Sequence, residues 1–172
     1  MATRRPSPAG RRTPPRPRGT SARRRSSTCS GGSTASRCTA TRREIAAHGA
    51  AVCTWADWWG FKMEARDGIP QNAALCQEAG VTVCVHSDSS EQVQRLWVEA
   101  AKMVGAGLPR AEAVKALTIN PATVIGVEGR IGSLEAGKDA DLALFSGDPF
   151  SVLTRVDATW IEGRRVFERE RR

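Results

Sequence analysis

The sequence has no apolar run of about 18 residues, the length a helix needs to cross a bilayer, so no membrane partner is expected. None of its five cysteines (Cys29, Cys38, Cys53, Cys76 and Cys84) forms a C-x-x-C pair, which removes the common zinc and dithiol motifs. An odd count without a framework fits a reducing compartment, and a cytoplasmic location is the expectation. Histidine is scarce, with only His48 and His86. Residues 1–43 contain no Lys, Asp or Glu, and residues 1–40 contain no Leu, Ile, Val, Phe or Trp. A segment without large apolar side chains buries too little surface to offset its chain entropy, so residues 1–43 read as a disordered tail. No apolar stretch follows its paired arginines, which excludes a secretory signal. The same lack denies it the apolar face of a transit peptide.

What is present is charge, unevenly placed. The formal charge is +8 and the pI about 10.1. Residues 1–43 carry twelve Arg, whereas the remainder has 14 basic and 18 acidic residues. The basicity belongs to the tail and the rest is mildly acidic, so a nucleic-acid partner is not expected for the folded part. Three readings of the tail stand open. It is an arginine-rich arm for RNA, DNA or another anionic surface; it is a solvated tail without a partner; or it is out-of-frame sequence from a GC-rich source. The third is suggested by its narrow residue alphabet and the abrupt change at Arg43-Glu44.

From residue 44 the chain has ordinary apolar periodicity. Glu44 to His48 reads as the end of a helix stopped by Gly49. Ala50 to Trp55 reads as a short strand, followed by an aromatic loop, Trp55-Ala-Asp-Trp-Trp-Gly-Phe61, whose four aromatics form a pocket wall or pack under the loop. Asn72 to Glu78 is a helix and Val81 to Val85 a strand. Ser89 or Ser90 caps a helix from near Glu91, with Val93, Leu96, Trp97, Ala100, Ala101 and Val104 on one face. Pro109 starts another helix, with Ala113, Val114 and Leu117 as its apolar positions. Pro121 marks the start of a third. From Arg130 the period changes. Ala140 to Phe145 alternates like a strand, and Asp157 to Phe167 reads as a hairpin around Glu162-Gly163. The rhythm is first that of a parallel βα sheet or barrel, then that of a small antiparallel piece.

The chain is organised around Val81-Thr-Val-Cys-Val-His-Ser-Asp88, a buried strand that delivers a carboxylate at its C-terminal end. An isolated Asp88 is most simply a turn or helix-capping residue. His86, two positions earlier, points the same way as Asp88 if the strand continues that far. His48 lies in a helix before a strand and reads as a surface or packing histidine. Cys53 and Cys84 lie in apolar runs and read as small buried hydrophobes.

Several motifs together carry a resemblance. Asp57-Trp-Trp59, Phe61-Lys-Met-Glu64, Asp67-Gly-Ile-Pro70 and Asn72-Ala-Ala74 resemble the seventh barrel unit of the amidohydrolase superfamily, in its imidazolonepropionase-related branch. His86-Ser-Asp-Ser89 resembles that family's eighth strand. Leu117-Thr-Ile-Asn-Pro-Ala122 and Gly132-Ser-Leu-Glu-Ala-Gly-Lys-Asp-Ala-Asp141 resemble its passage from barrel to flanking sandwich. Ser146-Gly-Asp-Pro149 and Trp160-Ile-Glu-Gly163 continue it.

The resemblance implies an α/β fold. Residues 44–129 would be the last two βα units of a TIM-like (β/α)8 barrel, and residues 130–172 part of a small flanking β-sandwich. It implies a metal-dependent hydrolase of C–N bonds in small-molecule substrates: cyclic amides, amino-substituted rings or dipeptide-like compounds. Asp88 would be a ligand of a divalent metal, zinc in the first instance, and the acceptor of a proton from water. His86, Trp58 and Trp59 would face the substrate. The family's His-x-His pair and middle-strand ligands have no counterpart here, and a full barrel takes about 250 residues. The expectation is therefore a truncated or frameshifted member with little or no activity by itself, or a subunit whose barrel another chain completes.

Overall fold

The computed structural model describes residues 28–29, 38–56, 63–66 and 68–170. The predicted aromatic-loop residues Trp58 and Trp59 lie outside the described residues, as does most of the segment read as a tail. Helix α1 (Arg42–His48) ends at Gly49, whose φ of +72° is the left-handed conformation that closes a helix without a Cβ clash. Strand β2 (Ala51–Thr54) follows, then helix α2 (Asn72–Glu78) and strand β3 (Thr82–Val85). Strands β2 and β3 pair in parallel with Cys53 opposite Cys84, and the His86 N–H extends the ladder to the Thr54 carbonyl at 2.8 Å.

The parallel sheet has a third strand, β1 (Thr28–Cys29), which pairs with β2 on the side away from β3. This corrects two sequence-based expectations. The sheet is not limited to two βα units, and the fold does not begin at residue 44. Cys38 is fully buried and its Sγ donates to Asn72 Oδ1 at 2.8 Å. Arg42 and Arg43 belong to α1. The boundary was drawn where large apolar residues begin. Small side chains such as Cys38 need no such bulk to fill a tight site, and they can hydrogen-bond within it.

The face of the sheet toward the helices forms the core. Val52 and Val83 pack there with Ala73, Ala74, Cys76, Ala100, Met103 and Leu108. Met103 and Leu108 are the largest fully buried side chains, each contributing about 2–3 kcal/mol by burial. Buried Asn72 joins β2, α2 and the Cys38–Thr39 turn: its Nδ2 donates to Thr54 Oγ1 at 2.9 Å, and its Oδ1 accepts from Cys38 and Thr39.

The helix expected from Glu91 is broken in two. Gln92–Arg95 is a 3₁₀ turn, and α3 (Leu96–Gly105) starts after Arg95 departs from helical φ and ψ. A 3₁₀ turn has about three residues per turn, so the change resets the helical phase. Val93 is 52% exposed, and the buried positions of α3 are Glu99, Ala100 and Met103. In α4 (Arg110–Leu117) the buried residues are Ala113 and Ala116, while Val114 is exposed. Helix α5 (Ile119–Ile125) carries Asn120, whose Nδ2 donates to the Val83 carbonyl of β3 at 2.8 Å.

Strands β4 (Leu142–Phe145), β5 (Val156–Ile161) and β6 (Arg164–Glu168) form a separate antiparallel sheet. Glu162 and Gly163 both have positive φ, +49° and +75°, the tight turn whose twist suits a two-residue hairpin. The link before this sheet is seated by Gly132, at φ +91° against Thr118, Ile119 and Ala122 of the α5 entry. Trp97 meets Phe145 edge-on at 6.4 Å, and Arg110 lies 5.2 Å over the Phe150 ring, tying the second sheet to α3 and α4. No helix among the described residues is long and apolar enough to cross a membrane.

Candidate active site

In a parallel sheet every strand ends on the same side, so β2 and β3 present their following residues together. On that side lie Trp55, His86, Ser87 and Asp88. Alternation along each strand places Val52 and Val83 toward the helices and Ala51, Cys53, Trp55 and Thr82, Cys84, His86 on the opposite face. The ring pair follows: the Trp55 and His86 centroids are 5.6 Å apart with planes tilted by 41°. Trp55 is the first of the four aromatics expected in a pocket wall, without a named partner. Its strand-end position beside His86 becomes visible only with the β2–β3 register.

Asp88 is exposed and adopts φ +48°, the left-handed region that Asp tolerates better than most side chains. Strand geometry has stopped at Val85, so the alternation that would align Asp88 with His86 does not extend to residue 88. The two are instead joined through the backbone: the Asp88 N–H donates to His86 Nδ1 at 3.0 Å. A nitrogen that accepts a hydrogen bond carries no proton. The neutral ring therefore bears its hydrogen on Nε2 and offers it as a donor. In that tautomer His86 has no free lone pair for a metal, and its chemistry is that of a hydrogen-bond donor.

The turn beyond Asp88 is fixed by serines. Ser87 is buried and its Oγ donates to the Ser89 carbonyl at 3.1 Å. Ser89 Oγ accepts the Glu91 and Gln92 N–H groups, each at 3.2 Å, and so caps the 3₁₀ turn. Of the two expected caps, Ser89 fills the role. His48 ends α1 on the surface, away from this strand end.

One layer below the Trp55–His86 pair sits the Cys53–Cys84 pair. Cys84 is buried, as expected; Cys53 is partly exposed, and neither belongs to the helix-side core. The neighbouring Cys84 thiol lowers the Cys53 thiol to about 7 against the opposing effect of burial. The same pairing, with burial, pushes Cys84 up. A cleft of about 270 Å³ lined by Gln77, Gly80, Thr82, Lys115 and Asn120 lies at the other, N-terminal end of β3, remote from Asp88.

A divalent metal, implied by the resemblance of the sequence motifs, finds only part of a site here. Among the described residues no group of three or more His, Cys, Asp and Glu side chains is placed to hold an ion. A catalytic zinc takes about three protein ligands and a water. Asp88 alone does not fit that requirement.

Comparison with known proteins agrees with this geometry. Residues 8–167 match the profile described as the amidohydrolase family. The chain is 33% identical over 119 residues to the amidohydrolase tasK of Hapsidospora irregularis, covering 69% of this chain and 12% of that protein. It is 35% identical over 109 residues to the imidazolonepropionase of Shouchella clausii, covering 58% of this chain and 24% of the enzyme. Among solved structures, an amidohydrolase from Thermotoga maritima superposes with a TM-score of 0.71 at 32% identity, covering 78% of this chain and 36% of that one. The chain thus spans about a quarter or less of these two curated relatives. The family is generally metal-dependent. The profile match covers most of the chain, including much of the arginine-rich segment, and the chain belongs to the amidohydrolase family.

Proposed function

We propose that β2 and β3 are the seventh and eighth strands of a (β/α)8 hydrolase acting on the C–N bond of a small molecule. The substrate is a cyclic amide, an amino-substituted ring or a dipeptide-like compound, and the setting is the cytoplasm. In this reading Asp88 is the eighth-strand carboxylate, a metal ligand and proton acceptor. His86 directs its Nε2–H toward the substrate, and Trp58 and Trp59 belong to the wall of the pocket. The β4–β6 sheet is part of the flanking sandwich.

The observation that carries the reading is Asp88 itself. It is an exposed carboxylate on a left-handed turn at the C-terminal end of a parallel strand, with its N–H on the neighbouring histidine. That is the end of a barrel where catalytic groups collect. The 172 residues contain two histidines, with no His-x-His pair, so this chain by itself is proposed to have little or no hydrolase activity.

The test is a chimera. Residues 28–172 replace the corresponding part of the Thermotoga maritima amidohydrolase, and zinc content and hydrolysis are measured with Asp88 and with Asp88→Asn. The expected result is a folded chimera that binds metal and turns over, with a loss of at least about a hundredfold in kcat on removing the carboxylate. A folded, active chimera indifferent to Asp88→Asn would sink the assignment. Stoichiometric zinc and turnover in the unfused chain would sink the proposed inactivity.

A further inference from the structure

The face of the parallel sheet opposite the helices holds two thiols side by side. Cys53 and Cys84 are register partners in adjacent parallel strands, so both side chains project from one face. Adjacent strands lie about 4.8 Å apart. That falls within the span of about 4.4–6.8 Å over which a disulfide closes without backbone movement. Cys53 is partly exposed, whereas Cys84 is buried beside it. We propose that Cys53 and Cys84 form a peroxide-reactive dithiol site that closes to a reversible disulfide between β2 and β3.

The steps balance. The Cys53 thiolate attacks one oxygen of the peroxide and the O–O bond breaks. This leaves Cys53 as a sulfenic acid and releases hydroxide, which becomes water. The Cys84 sulfur then attacks the Cys53 sulfur. The S–S bond forms, the S–O bond breaks, and the second water leaves with the Cys84 proton. Two electrons pass from the thiols to one peroxide. The roles follow from position: Cys53 is the partly exposed sulfur a small oxidant reaches, and Cys84, its buried register partner on the same face, is the resolving sulfur. The neighbouring Cys84 thiol favours the Cys53 thiolate at neutral pH, which supports this order of events.

The chain carries its own control. Cys38 and Cys76 are also neighbours, but both are fully buried in the core and both engage Asn72. Neither has exposed surface, so an oxidant reaches Cys53 first. The bond between Cys53 and Cys84 would join β2 to β3 directly beneath the Trp55–His86 pair, so the oxidation state of the floor is coupled to the strand ends above it.

The experiment treats the reduced, purified full chain with a slight molar excess of hydrogen peroxide. Remaining thiols are blocked with N-ethylmaleimide under denaturing conditions. Digestion with trypsin and a glutamate-specific protease then separates Cys76 from Cys84 by cutting after Glu78. The expected result is loss of two of the five thiols, with a single linked species containing Cys53 and Cys84 that dithiothreitol reverses. In Cys84→Ser, dimedone should label Cys53. Recovery of Cys53 and Cys84 as separately blocked peptides overturns the proposal. So does a link between Cys38 and Cys76 alone, or the absence of dimedone label on Cys53 in Cys84→Ser. Mapping the unmodified chain needs no variant, so a substitution that fails to fold does not shelter the idea.

Discussion

Replacing Gly132 with alanine should destabilise the protein for two separable reasons, and the same loop contains the means to separate them. Gly132 has φ +91° and Gly137 has φ +93°. An alanine at either pays a left-handed backbone cost of about 1–2 kcal/mol. The stiffer unfolded chain offsets this by about 0.4–1 kcal/mol. At Gly137 nothing lies within 4 Å of an added Cβ, so Gly137→Ala should cost about 1 kcal/mol or less. At Gly132 the added Cβ would lie 2.8 Å from the Ala122 Cβ, 3.0 Å from the Ile119 Cα and 3.1 Å from the Thr118 carbonyl oxygen. Two of these are backbone atoms at the start of a helix and cannot swing aside. Overpacking of this kind adds about 1–3 kcal/mol. Urea unfolding followed by tryptophan fluorescence measures both variants, and a shift in midpoint at constant slope reports the difference. Gly132→Ala should be the less stable by about 1–3 kcal/mol. Equal midpoints for the two variants would show that the link is not seated against α5, and with it the join between the two sheets would be wrong.

Asn72→Ala should cost about 2–4 kcal/mol in the same assay, because it strands the Thr54, Cys38 and Thr39 groups and leaves a small cavity; a cost below about 1 kcal/mol would mean those groups are satisfied by water. The Asp148 carboxyl is held below the usual carboxylate range, first by the Arg110 guanidinium and then by the Phe150 N–H. A depressed carboxyl contributes stability that is present above its unfolded pKa and lost as pH falls through its folded one, so this contribution disappears on the acid side of ordinary aspartate titration. In Arg110→Ala the Asp148 titration, followed by carboxyl NMR, should move up toward the ordinary value; an unchanged titration would refute the pairing.

Local patterns were legible in the sequence because local physics decides them. The glycine stop after His48, the α2 helix, the βα alternation and the Glu162-Gly163 hairpin rest on φ restrictions and on periods of 3.6 and 2, which a short window contains. Asp88 at a strand end was legible for the same reason, and the motifs around it carried the family. Other features required the register of β2 against β3. Pairing places Cys53 on Cys84 and Trp55 beside His86, and nothing in either strand alone encodes its partner. The tautomer of His86 depends on a turn whose left-handed aspartate leaves no mark on hydrophobic periodicity. Val93 falls off the expected apolar face because a 3₁₀ turn changes the helical phase before Leu96, while Ala100 and Val104 of that face do pack on the core. The start of the fold was set too late because Cys38 is small and its place depends on Asn72, thirty-four residues away. The sequence thus determined the elements and the family, through interactions between near neighbours in the chain. Tertiary structure alone decided which thiols meet and which rings face one another, because those contacts exist only when distant segments are held at one strand spacing.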